Sequence, residues 1–292
     1  VPDAVLADLR ERLAATRWPI EAQAEPWRYG TSLAWMREVV DYWLHRYDWR
    51  RWEAELNRWP NFRAMVNGKR VHFIREEGSG PAPLMLLMSH GWPGSVVEFL
   101  QVIEPLAHPE RFGGDLRDAF TVIVPSLPGY GFSEPPDVPI SHHQIGTLWH
   151  ELMTGALGCT RYGAQAGDVG AGATSWLALD HPEHLVGIHL NMMSLQPDID
   201  PAVDPTTAEE REWIDKANAR REGNMAYQQI QGTRHQTLTY GLTDSPAGLA
   251  AWILEKFHGW TVPGSGGPPP FDLDHLITNV MLHWLPGPNA PT

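Results

Sequence analysis

Apolar residues recur along this chain with two different spacings, and the changes between them divide it. Up to Pro60 the spacing is helical: Leu6, Leu9 and Leu13 share one face, as do Trp35, Val39, Trp43 and Tyr47. Pro19, Pro26, Gly30 and Pro60 punctuate the pattern. So short a stretch cannot bury its own aromatics, so Trp35, Trp43, Trp49, Trp52 and Trp59 are expected to pack on a neighbouring domain as structural residues. From Phe62 the period shortens to two residues. Phe62 to Val66 and Arg70 to Ile74 alternate about Asn67-Gly68, a dipeptide that accepts the positive φ angles of a type I′ hairpin.

Gly78-Ser79-Gly80 then opens an alternation of strands and helices. Apolar Leu84 to Ser89, Phe120 to Val124, Tyr162 to Ala166 and Leu185 to Asn191 read as strands, and helices are expected near Val96 to Leu106, near His142 to Leu157 and from Gly170. That order predicts the α/β class, a mostly parallel sheet flanked by helices. From Gln196 to about Gly266 the strand pattern lapses, and polar helices near Thr207 to Arg221 and Ala247 to Phe257 read as an insertion above the sheet. Val262 to Phe271, with Pro268-Pro269-Pro270, is a loop returning the chain to the core, where a last helix is expected from Asp274 to Trp284. The expected division is a helical N-terminal segment (1–60), a core (61–195), a helical cap (196–272) and a return to the core with an atypical tail (273–292).

Charge and composition then remove several classes of function. The net charge of -13, with 22 basic against 35 acidic residues, opposes binding to a phosphate backbone, so no nucleic-acid partner is expected. Apolar runs such as Pro83 to Met88 fall far short of the roughly 20 residues that cross a bilayer, so no membrane span is expected. Cys159 is the only cysteine; it has no internal disulfide partner and fits a reducing, cytoplasmic setting. The chain opens on Val1, so a removed or omitted upstream segment is expected, which leaves secretion open. His142-His143 with His150, and His181 with His184, lack a cysteine or carboxylate set at ligand spacing; they read as solvated histidines and no metal is expected.

Candidate chemistry is concentrated in Tyr162-Gly163-Ala164-Gln165-Ala166-Gly167-Asp168-Val169-Gly170-Ala171-Gly172, where a strand meets a helix through small residues around one acid. This is a nucleophile elbow with aspartate in the place that ester hydrolases give to serine. Alone, Asp168 would read as a helix cap. Upstream, however, His90-Gly91-Trp92-Pro93-Gly94-Ser95 follows an apolar strand, where such a fold places one oxyanion-hole amide; the residue after the nucleophile supplies the other. Trp92 and Val169 are therefore assigned as backbone donors for the oxyanion that forms when an aspartyl ester is hydrolysed. His90, at the strand end, reads with Gly91 and Pro93 as a brace for that loop rather than as a base.

Taken with the Trp-rich start and Pro128-Gly129-Tyr130-Gly131-Phe132-Ser133, these motifs give a chain that resembles the microsomal-type epoxide hydrolase family over nearly its whole length. The resemblance extends to Tyr227-Gln228-Gln229-Ile230-Gln231 and to Leu242 through Phe257 in the insertion. It implies an α/β-hydrolase fold and a two-step reaction without a cofactor. Asp168 attacks a small-molecule epoxide, Tyr227 protonates the opening oxygen, and a histidine-activated water releases the vicinal diol. It also implies a second cap tyrosine, a histidine-orienting acid and a catalytic histidine after the last helix, for which this chain has no matching residues. Leu285 to Thr292 reads instead as a proline-rich tail of the kind a frameshift or truncation produces, with the last core strands expected to be missing and the chain inactive or limited to a single turnover. Two other readings stand beside this one: a non-catalytic remnant or binding module, and a haloalkane dehalogenase, which must hold a halide with side-chain N–H donors that Val169 lacks. Asp244 reads as a cap for the helix after Pro246, not as the triad acid. The sequence leaves open whether the chain forms a homodimer.

Overall fold

A computed structural model describes residues 1–21, 25–192, 206–261 and 267–286, without the side chains of 220–224. The Asn67-Gly68 hairpin is where the sheet starts: both residues have positive φ, 49° and 80°, and they join β1 (Asn61–Val66) to β2 (Lys69–Glu76) with Val66 opposite Lys69. β3 (Leu84–Ser89), β4 (Phe120–Pro125), β5 (Tyr162–Ala166) and β6 (Leu185–Leu190) complete a six-stranded sheet of order β1-β2-β4-β3-β5-β6. β3 to β6 run parallel, whereas β2 pairs antiparallel with both β1 and β4. The sheet is thus mixed, with its parallel part at the centre and on the β6 side.

Alternation along the strands sorts side chains into two layers. Ile74, Met88, Val122 and Val124 face one core, and Phe73, Leu87 and Ile123 face the other. Over the second face lie α5 (His142–His150), which continues into a wider π-type turn to Ala156, and α6 (Asp168–Asp180). Over the first lie α4 (Leu100–Ala107), preceded by a 3₁₀ turn (Val96–Phe99), and the N-terminal helices α1 (Asp3–Ala14), α2 (Leu33–His45) and α3 (Trp49–Leu56). Val39, Trp43, Tyr47, Trp49 and Trp59 are buried there against the later helices α9 (Pro246–Thr261) and α10 (Leu273–Trp284). Tyr42 and Tyr47 donate or share hydrogen bonds of 2.9 Å with Asp274 and Thr278 of α10.

Two expectations are corrected. The polar stretch before α9 holds two helices, α7 (Ala208–Asn224) and α8 (Ala226–Asp244), where the pattern predicted one. α8 carries no apolar stripe and departs from helical geometry at Arg234, so hydrophobic spacing does not announce it. Asp244 does not cap α9 either. Ser245 does, accepting from the Gly248 amide at 3.0 Å, while Asp244 accepts from Arg12 of α1. The predicted return loop at 262–266, the cap boundary at 196–205 and the tail at 287–292 lie outside the described residues.

Candidate functional site

β3 is the strand at which the sheet order divides, with β4 on one side and β5 on the other. The carboxyl ends of strands at such a point form a crevice that the sheet leaves uncovered. Both chemical motifs emerge there: the loop from His90 follows β3, and Asp168 follows β5.

The turn after β5 is tight enough to place Asp168 in the left-handed region, φ 50°. Its neighbours are small for a geometric reason: a Cβ on Gly170 would stand 2.6 Å from the carbonyl oxygen of His90, so only glycine lets α6 begin against the end of β3. The Asp168 carboxylate turns toward the facing loop. Its Oδ1 accepts from the Trp92 amide at 2.8 Å, and the Val169 amide also donates to the carboxylate. Burial nevertheless raises the Asp168 pKa above its ordinary value, outweighing these two amides and the nearby His142, which favour the anion.

The loop itself is braced from below. His90 is buried, with Nδ1 3.1 Å from the Gly91 carbonyl and Nε2 3.1 Å from the Leu127 amide. A ring that donates through Nδ1 and accepts through Nε2 is neutral, in line with a pKa that burial lowers to about 3. From above, α10 grips the Pro93 carbonyl twice: Asn279 Nδ2 donates at 2.7 Å and His283 Nε2 at 2.8 Å. Asn279 Oδ1 meanwhile accepts from Ser95 Oγ at 2.8 Å. Burial lowers the His283 pKa to about 4, so this donor is also a neutral ring. Asn279→Ala should destabilise the protein by about 1–3 kcal/mol, because the Ser95 hydroxyl loses its buried partner and the Pro93 carbonyl one of two. Urea unfolding checks this; an unchanged midpoint would remove the clamp from the account.

Trp92 has a second task. Its ring stacks on Tyr227 of α8 at 4.9 Å and 13°, with Trp260 of α9 6.0 Å away. Tyr227 also carries Lys256 Nζ 4.7 Å from its ring centroid. Burial and the Asp168 charge raise the Tyr227 pKa, which keeps its phenol protonated at neutral pH. A cavity of about 640 Å³ opens on these elements, lined among others by Gly91, Trp92, Asp168, Glu98, Lys256 and Trp260. Tyr227 reaches the cavity wall through its contacts with Trp92 and Trp260.

Asp168, Val169, Trp92, His90, Gly91, Pro93 and Tyr227 are therefore brought together. Sequence reasoning missed Glu98, Lys256, Asn279 and His283. A signal existed for three of them: Glu98 interrupts the apolar Val96 to Leu100, and Asn279 and His283, one helical turn apart, interrupt the largely apolar Leu276 to Trp284. Among the described residues, no three His, Cys, Asp or Glu side chains group as a metal site, and no helix is long and apolar enough to cross a membrane.

Comparison with known proteins adds what geometry cannot. Residues 1–99 match the model of the epoxide hydrolase N terminus, and residues 85–222 that of the alpha/beta hydrolase fold. A relative in Stigmatella aurantiaca is 44% identical over 286 residues, and the match covers 98% of this chain and 64% of that protein. The chain therefore spans just under two thirds of that relative's length. Epoxide hydrolase 1 of Oryctolagus cuniculus is 32% identical, with 98% of this chain and 68% of that protein covered. The crystal structure of juvenile hormone epoxide hydrolase from Bombyx mori superposes with a TM-score of 0.86 at 30% identity, covering 99% of this chain and 73% of that one. With the elbow, the facing loop and Tyr227 in one place, and with relatives of this closeness over nearly its full length, the chain belongs to the epoxide hydrolase family of microsomal type, built on the α/β-hydrolase fold.

Proposed function

We propose that this chain opens a small-molecule epoxide through an ester on Asp168, on its way to a vicinal diol. The observation that carries the reading is the Asp168 carboxylate itself, anchored through Oδ1 by the Trp92 amide and facing a cavity bordered by the protonated phenol of Tyr227. Anchoring one oxygen orients the other for attack on a ring carbon. As the C–O bond of the epoxide breaks, Tyr227 gives its proton to the departing oxygen, and a hydroxyalkyl ester of Asp168 remains. Water then adds to the ester carbonyl. The negative charge that builds on that oxygen is stabilised by the Trp92 and Val169 amides, which already point at this carboxyl group. Trp92 couples the two steps, because its amide holds the nucleophile and its ring holds the proton donor.

On this reading 61–195 form the catalytic core and 196–272 the cap that contributes Tyr227, with 1–60 and 273–292 packed on the core. A cytoplasmic setting accords with a lone cysteine.

The test is incubation with styrene oxide, followed by intact-mass spectrometry and chromatography of the product. Expected is a protein adduct of the epoxide's mass that maps to Asp168, with or without free diol. A folded chain that forms neither adduct nor diol, or that releases halide from a haloalkane while ignoring the epoxide, would refute the proposal.

A further inference from the structure

A lysine is rarely buried unless nearby groups offset the water its charge has lost. Lys256 of α9 is only 8% exposed, and it lines the cavity that Asp168 faces. Its ammonium pairs with Glu255, whose side chain is the more exposed of the two. The same ammonium overlies two rings, with Nζ 4.7 Å from the centre of Tyr227 and 5.7 Å from that of Trp252. Trp92 packs on both rings, at 4.9 Å and 6.4 Å, so the aromatic groups that receive the cation are themselves held in place. The other charged or titratable groups along the cavity are Asp168, Asp272, His275 and Glu98, to which the Gly91 amide donates. Among the described residues of that lining, Lys256 is the one lysine or arginine.

The first step proposed above moves negative charge toward this ammonium. Asp168 gives up its charge as it forms the ester, the epoxide C–O bond breaks, and the departing oxygen takes the Tyr227 proton. The charge that leaves Asp168 is therefore left on the Tyr227 phenolate, where it spreads into the ring that Lys256 overlies. Burial opposes that anion, as the raised pKa of the phenol shows. A neutral phenol offers a cation only the weak attraction of its ring face, whereas the phenolate offers a full opposite charge at the same place. Attraction that grows as the proton leaves lowers the barrier instead of merely tightening the resting state.

We propose that Lys256 stabilises the Tyr227 phenolate left when the phenol protonates the opening epoxide, and so serves the first step through Tyr227. The ammonium neither gives nor takes a proton in that step. The proton released when water hydrolyses the ester restores the phenol, and Asp168 returns as the carboxylate. The inference rests on the Asp168 and Tyr227 reading.

Lys256→Met removes the ammonium and keeps an unbranched stem. With styrene oxide as the probe, formation of the Asp168 adduct should slow about 10- to 100-fold. The loss should fall on the limiting rate of adduct formation, with the epoxide concentration that half-saturates it kept within about twofold. Lys256→Arg should recover part of the rate. Glu255→Gln breaks the same ion pair but leaves the ammonium, and should stay within about threefold of wild type. Tyr227→Phe has no proton to give, so adding Lys256→Met to it should cost less than about threefold more. An equal loss in both backgrounds would overturn the assignment, because Lys256 would then serve packing or act on the epoxide directly. So would an unchanged rate in folded Lys256→Met, or a loss of the same size in Glu255→Gln. Lys256→Gln replaces Lys256→Met should the latter not fold; failure of both to fold would make the ammonium structural and overturn the inference too. No adduct in folded wild type, or Tyr227→Phe as fast as wild type, would instead defeat the underlying reading, and this inference with it.

Discussion

Asp168→Asn should lower the rate of adduct formation with an epoxide on the order of 10⁴-fold or more, to the level of unassisted solution chemistry. Asparagine is the informative replacement because it changes little else. It tolerates the left-handed φ of 50° at this turn, and its side-chain oxygen still accepts from the Trp92 amide. What it lacks is an anionic oxygen free to attack.

The same variant reads out the cost of burying the charge. Asp168 in the folded protein holds its proton more tightly than in the unfolded chain, so its contribution to stability is present at low pH and is lost as pH rises through the raised folded pKa. At neutral pH the wild type bears that cost and Asp168→Asn does not. Its unfolding midpoint should match or exceed that of the wild type near neutrality, and the advantage should vanish in acid below the ordinary aspartate range. Adduct formation by the wild type should fall in the same direction, because the reactive anion is protonated at a higher pH than an ordinary aspartate. An inactive variant that is also strongly destabilised at neutral pH would mean that Asp168 holds the fold rather than serving the chemistry.

The second large effect is expected at Gly91. A methyl group there would lie 2.5 Å from Asp168 Oδ1, so the loop after β3 and the elbow after β5 would have to separate. Separation lengthens the 2.8 Å contact between the Trp92 amide and Asp168 and misdirects the Gly91 amide from Glu98. Gly91→Ala should therefore lose about 10²- to 10³-fold in adduct formation, the scale of a lost oxyanion donor, and about 1–3 kcal/mol of stability through overpacking. Gly187→Ala in β6 is the matched control, since nothing lies within 4 Å of its added methyl. Comparable adduct rates in the two variants would show that the approach of the loop to the elbow does not limit the chemistry.

How much of this was legible beforehand follows the range of the forces involved. The hairpin at Asn67-Gly68 and the elbow from Ala166 to Gly172 are written in local terms, because each needs particular small or left-handed residues at adjacent positions. The strands were legible because burial on a pleated surface imposes a two-residue period that a single segment displays. α8 was not, since it is a polar helix whose existence depends on its packing against α9 rather than on a stripe of its own.

The amino-acid sequence by itself determined the class of fold, the order of the core elements, the sharp bend that exposes Asp168 and the loop that faces it. Only the tertiary structure decided which side chains surround that bend. Asn279 and His283 meet Pro93 from 186 and 190 positions away in the chain, Tyr227 of α8 meets Trp92 of the loop after β3, and Glu98 is turned toward the cavity rather than into the core beneath it. Such meetings leave no period in the chain, because a hydrogen bond or a stacked ring is satisfied by distance in space, whereas hydrophobic patterning reports only which way each residue faces along its own element.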